Sequence, residues 1–128
     1  MSSAIGDTIG QPVPSDMAII TEAVLSAASN LKVNDRELAE ILGVSKSTVS
    51  RVRSGTVLPG TAKVEELAII FIRLYRSLDA IVGGDDQAAQ QWLRNQNYYF
   101  DDAPIKLLFS CAGLISVVDY LDSYRALS

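Results

Sequence analysis

LAEILGVSKSTVSRVRSG, residues 38–55, places small, turn-forming and apolar residues at the intervals that two short crossing helices need. Ala39 supplies the small side chain where the helices approach. Gly43 supplies a residue at ease with positive φ in the turn. Leu38, Leu42, Val44, Val49 and Val52 make a miniature core, with Val49 and Val52 three apart on the second helix. Asn34 is placed to cap the first helix, Asp35–Leu42, and Glu37 is its capping-box partner. Ser45 caps the second helix, Lys46–Ser54, and Gly55 follows as a C′ residue. The spacing predicts a helix-turn-helix over these residues.

In that arrangement the second helix offers Ser45, Lys46, Ser47, Thr48, Ser50 and Arg51 to a DNA major groove. Arg51 has the fork that fits a guanine edge. Ser45 and Ser47 are placed for phosphates near the helix start. Arg53 points to the DNA backbone or to the C-terminal end of its own helix. The plain alternative is a motif kept for packing, with Lys46, Arg51 and Arg53 as solvated charges.

The charge distribution favours the DNA reading. The whole chain is acidic, with net charge −4 and pI near 4.7. Residues 32–63 nevertheless hold six bases against three acids, giving +3. Residues 1–31 hold three acids and no base, and residues 64–128 hold nine acids against five bases. A phosphate backbone responds to this local charge, not to the total. A surplus of +3 is modest, so a homodimer on a two-fold operator is expected.

Outward from the motif, 128 residues allow one compact domain or two small units sharing a core. Residues 1–15, rich in Ser, Gly and Pro, read as a flexible tail, followed by a helix from about Met17 to Leu31 capped by Ser15 or Asp16. From Thr61 one long helix runs to Gly83-Gly84. Its stripe is Val64, Leu67, Phe71, Leu74, Leu78 and Ile81, with Ile69, Ile70 and Ile72 spilling onto other faces. That helix is a spine and a candidate oligomer surface. Asp86–Arg94 reads as a short helix, Pro104 opens another, and GLISVVDYLDSYRAL forms the last. The expected fold is all-α: a helix-turn-helix bundle over 16–60, joined by the central helix to a small helical domain over 61–128.

Several functions are excluded or disfavoured. The chain has no histidine and one cysteine, which leaves no Cys/His zinc site and removes the commonest general base. Cys111, in LLFSCAGLI, reads as a small buried hydrophobe. Asp85-Asp86 and Asp101-Asp102 read as turn or capping residues. No enzyme activity, cofactor or metal is expected. The start has no signal-peptide pattern and LAIIFIRLY is too short to span a bilayer, so a soluble cytoplasmic protein with no membrane partner is expected. Trp92, Tyr98, Tyr99 and Phe100 read as core or loop anchors. In the last helix, Leu114, Val117, Val118 and Leu121 read as core, with Asp119, Asp122 and Arg125 as a solvated face.

The order of later motifs carries a resemblance. VLPG, the long helix, DxQAAQQWL, a loop with Asn97, PIKLLF and GLISVVDYL resemble the antitoxins of the Xre/MbcA/ParS type over about residues 17–128. The resemblance implies an antitoxin of a type II toxin–antitoxin system. Its partner would be a RES-domain toxin that degrades NAD, neutralised by direct binding and occlusion of the active site. It also implies a homodimer within a larger toxin–antitoxin complex that represses its own operon. By the same resemblance the C-terminal end contacts the toxin, pointing to Tyr120, Tyr124, Arg125, Ala126, Leu127 and Ser128. Many members carry Pro-Asn where this chain has Gln96-Asn97, and a Gly-containing tail where it has Ala126-Leu127-Ser128. Without the resemblance, the residues also fit a stand-alone repressor whose second half dimerises or binds a ligand.

Overall fold

Capping residues and apolar stripes divide the chain where the physics of helix ends requires. A computed structural model describes residues 16–127. The helices there are α1 (Asp16–Leu31), α2 (Asp35–Leu42), α3 (Lys46–Arg53), α4 (Ala62–Ile81), α5 (Asp86–Arg94), α6 (Pro104–Leu107) and α7 (Cys111–Ala126). Among the described residues there is no strand, only an isolated bridge between Asn97 and Asp102. The all-α expectation holds. The expected tail over 1–15, and Ser15 as a cap, lie outside the described residues.

The ends of α2 and α3 follow the sequence closely. Asn34 and Glu37 form the full capping box: Asn34 Oδ1 accepts from the Glu37 N–H at 2.8 Å, and Glu37 Oε1 accepts from the Asn34 N–H at 3.0 Å. Gly43 closes α2 in the left-handed region at φ 69°, its N–H donating to the Ala39 carbonyl. Ser45 Oγ accepts from the Thr48 N–H at 3.0 Å and starts α3. Thr61, Asp85 and Ser110 cap α4, α5 and α7 by the same chemistry.

One hydrophobic core runs through both halves. Its spine is α4, which packs on α1, α2, α5 and α7. Phe71, Leu74 and Leu78 of α4 are fully buried, as are Leu31 of α1, Leu42 of α2, Leu93 of α5, and Leu114 and Leu121 of α7. The last helix begins two residues before the expected Gly113. Gly113 lies in its first turn, where a Cβ would overlap the Leu107 backbone carbonyl, so only glycine allows this α6–α7 approach.

Polar ties lock the two halves together. Arg94 of α5 forks onto Glu37 of α2, with its Nη1 and Nη2 at 2.5 and 2.8 Å from the two carboxylate oxygens, and its Nη2 also donates to the Lys32 carbonyl at 2.9 Å. The Arg94 hydrogen bond holds the Glu37 carboxyl below the usual range, against a partial desolvation that opposes it. Gln90 donates to the Asn30 carbonyl at 2.8 Å, and Asn30 donates to the Tyr75 hydroxyl at 2.8 Å.

Two sequence expectations are corrected. Cys111 is exposed in the first turn of α7, because the apolar run around it supplies Leu108 and Leu114 to the core and leaves its own side outward. Asp122 is not part of a free solvated face: it accepts from the Ser77 hydroxyl at 2.6 Å and pairs with Arg73 of α4. Arg125 Nη1 also donates to Ser77 Oγ, at 3.1 Å. The Ser77 hydrogen bond, and after it Arg73, pulls the Asp122 carboxyl below the usual range.

Candidate nucleic-acid interface and partner groove

The first site is built on α3. Val49 and Val52 are buried, which fixes the helix by one face and turns the other outward. Lys46, Ser47, Ser50 and Arg51 are exposed there and Thr48 is half-buried. A chain of contacts orders this face. Ser45 Oγ lies 3.1 Å from Ser47 Oγ and 2.9 Å from Thr48 Oγ1, and Arg51 Nη2 donates to Thr48 Oγ1 at 3.2 Å. The Arg51 guanidinium is thus held on the outer face with donors to spare.

Two of the expected residues have prior commitments. The Ser45 hydroxyl is the N-cap of α3. Arg53 Nε donates to Asp35 Oδ1 of α2 at 2.7 Å, so its charge is neutralised within the motif and it braces α3 against α2. One residue was missed. Arg36, in the first turn of α2, shares a shallow hollow with Lys46 of α3. Its signal in the sequence was its place at the start of the helix that crosses a DNA backbone in such motifs.

The second site lies at the far end of the chain. Tyr120, half-buried on α7, is the hub of an aromatic cluster. Ring centroids of Tyr99, Phe100, Trp92 and Tyr124 stand 4.6, 5.2, 6.3 and 6.4 Å from its own. A groove of about 770 Å³ opens beside it, walled by Tyr99, Phe100, Leu107, Tyr120, Tyr124 and Leu127, with Ser116, Asp119 and Ser123 along its polar edge. The loop that carries Tyr99 is shaped by Asn97, whose Oδ1 accepts from the Tyr99 N–H at 2.8 Å, and by Asp101 at φ 59°.

The reading of the loop aromatics as anchors is corrected for one of them. Tyr98 is 98% exposed, whereas Tyr99, though 71% exposed, packs its ring on Phe100 and Tyr120, and Phe100 and Trp92 are half-buried. Of the C-terminal residues expected at a partner, Tyr120, Tyr124 and Leu127 line the groove, and Leu127 is 89% exposed. Ala126 is exposed at the helix end. Arg125 is directed to Ser77 instead. Ser128 lies outside the described residues.

Comparison with known families separates the two sites along the chain. Residues 18–63 match the antitoxin Xre-like helix-turn-helix domain, and residues 77–126 match the antitoxin Xre/MbcA/ParS C-terminal toxin-binding domain. The chain belongs to the Xre antitoxins. Its helix-turn-helix implies DNA binding and its second half implies a toxin partner. No curated protein matches the chain. Both sites of this Xre antitoxin map to the matched segments: α3 lies in the first, and the lining of the Tyr120 groove lies in the second except for Leu127, one residue past its end. Among the described residues there is no cluster of metal ligands and no helix long and apolar enough to cross a membrane.

Proposed function

We propose that this Xre antitoxin neutralises a RES-domain, NAD-degrading toxin by seating part of it in the Tyr120 groove and occluding the toxin's active site. It acts without catalysis of its own, as a cytoplasmic homodimer that also represses its operon through α3. The observation that carries the reading is the open aromatic groove built, apart from Leu127, by the toxin-binding segment, beside the exposed C-terminal end of α7. Exposed Tyr and Leu side chains around a concave site are what a protein partner buries. The acidic second half adds complementarity to a basic or phosphate-binding cleft. The RES identity of the toxin is supported by the ordered resemblance of residues 17–128.

On the DNA side, Lys46, Ser47, Thr48, Ser50 and Arg51 meet the major groove, and Arg36 with Lys46 meets the phosphates. The test is genetic and direct. A RES-domain toxin, taken from beside the antitoxin gene where one is encoded there, is expressed with and without the antitoxin. Growth is rescued by the full-length antitoxin, and the two proteins co-purify. A RES protein that stays toxic and uncaptured contradicts the reading.

A further inference from the structure

The buried stripe of α4 leaves an outer face that is largely open, with Glu66, Ile69, Arg73 and Arg76 exposed, although Ile72 packs partly on the core and Arg73 pairs with Asp122 of α7. Along that face run Ala62, Glu65, Glu66, Ile69, Ile72, Arg73 and Arg76, at helical spacing. Ile69 is 44% exposed, and Ile19 of α1, at 56%, extends the apolar surface beside it. Two hollows flank Ile69. One, of about 460 Å³, is edged by Glu65 and Glu66. The other, of about 240 Å³, lies between α1 and α4 and is edged by Arg73 and Arg76. The face therefore reads acid, isoleucine, base along the helix.

Such a pattern is complementary to itself in one orientation only. In a parallel pair, acids face acids and bases face bases. About a two-fold axis near Ile69, with α4 antiparallel to a second α4, the acid-edged hollow of each copy meets the base-edged hollow of the other. From this we propose that a second copy of this chain occupies the face, through an antiparallel α4 pair centred on Ile69. Glu66 stands opposite Arg73 of the other copy, and Glu65 opposite Arg76. Arg73 is available for this although it pairs with Asp122, since its side chain remains more than half exposed. Arg76 has no ion pair with a described residue. The inference rests on the homodimer reading and specifies its surface and direction.

The test uses the full-length chain and size-resolved mass over a dilution series. Glu65→Arg alone and Arg76→Glu alone each place like charges together twice per dimer, and each raises the dimer dissociation constant about tenfold or more. Mixing the two variants restores the dimer, because each contact then pairs opposite charges. The double variant E65R/R76E restores it within one chain type. Residues 65 and 76 lie about 16 Å apart along the helix, too far for an intrachain pair to explain the rescue. Failure of both rescues overturns the antiparallel arrangement. A wild-type dimer indifferent to these changes and to Ile69→Asp keeps the homodimer reading and overturns this interface. A wild-type chain that is monomeric both alone and with its toxin overturns the two together. Loss of toxin capture by Ile69→Asp, with a monomeric wild type, assigns the face to the toxin instead.

Discussion

The outer face of α3 and the groove beside α7 are opposites in chemistry. The α3 face is small, polar and basic, with hydroxyls and a guanidinium held in register by a capped helix on two buried valines. The α7 groove is aromatic and apolar, with Asp119 at its polar edge and the rings of Tyr99 and Tyr124 more than half exposed. Charge and donor geometry suit phosphates and base edges. Apolar area in a concavity suits a protein surface. The contrast explains how an acidic chain carries a DNA-binding helix: the two tasks are assigned to segments of opposite charge on one core.

That shared core makes the comparison breakable. Phe71 is fully buried in the middle of α4, so Phe71→Ala costs about 3–5 kcal/mol and weakens both surfaces together. A single cooperative unfolding transition in calorimetry is the expected outcome. Two separate transitions would show two independent units. Next in size, Tyr124→Ala weakens toxin binding by about 2 kcal/mol or more and leaves operator affinity unchanged. Its mirror image is Arg51→Ala, which weakens operator binding by about 1–3 kcal/mol at fixed salt and leaves toxin capture unchanged. Either variant affecting both ligands would erase the separation of the faces.

The smallest effect concerns pH. Glu37 and Asp122 titrate lower in the folded chain than in the unfolded one, through Arg94 and through Ser77 with Arg73. Their stabilisation is therefore complete above about pH 5 and is lost as the pH falls through their folded values. Thermal melts should show the midpoint dropping on acidification, with a shallower fall in Glu37→Gln. An identical acid profile for that variant would mean the Arg94 fork does not stabilise the fold.

Much of this architecture was legible in the sequence because its signals are local. Asn34, Glu37, Gly43, Ser45 and Pro104 each act within a few residues of themselves, and each sits where its chemistry predicts. The stripe of α4 showed its buried side the same way. What was hidden is long-range. Arg94 finds Glu37 across 57 residues, and Ser77 finds Asp122 across 45, pairings that no periodicity announces. Exposure of Cys111, Tyr98 and Tyr99 was hidden for a related reason. An apolar or aromatic side chain in a turn or first helical turn has no stripe to assign it a side. The groove itself arises only when the 97–102 loop folds back on α7.

The most direct test is the mass of the complex formed by the full-length antitoxin and a RES-domain toxin of the kind proposed above. A stable complex is expected with the wild-type chain, lost or much weakened with Tyr124→Ala while that variant still binds operator DNA. No complex with the wild type, or a complex indifferent to Tyr124 and Leu127, would contradict it.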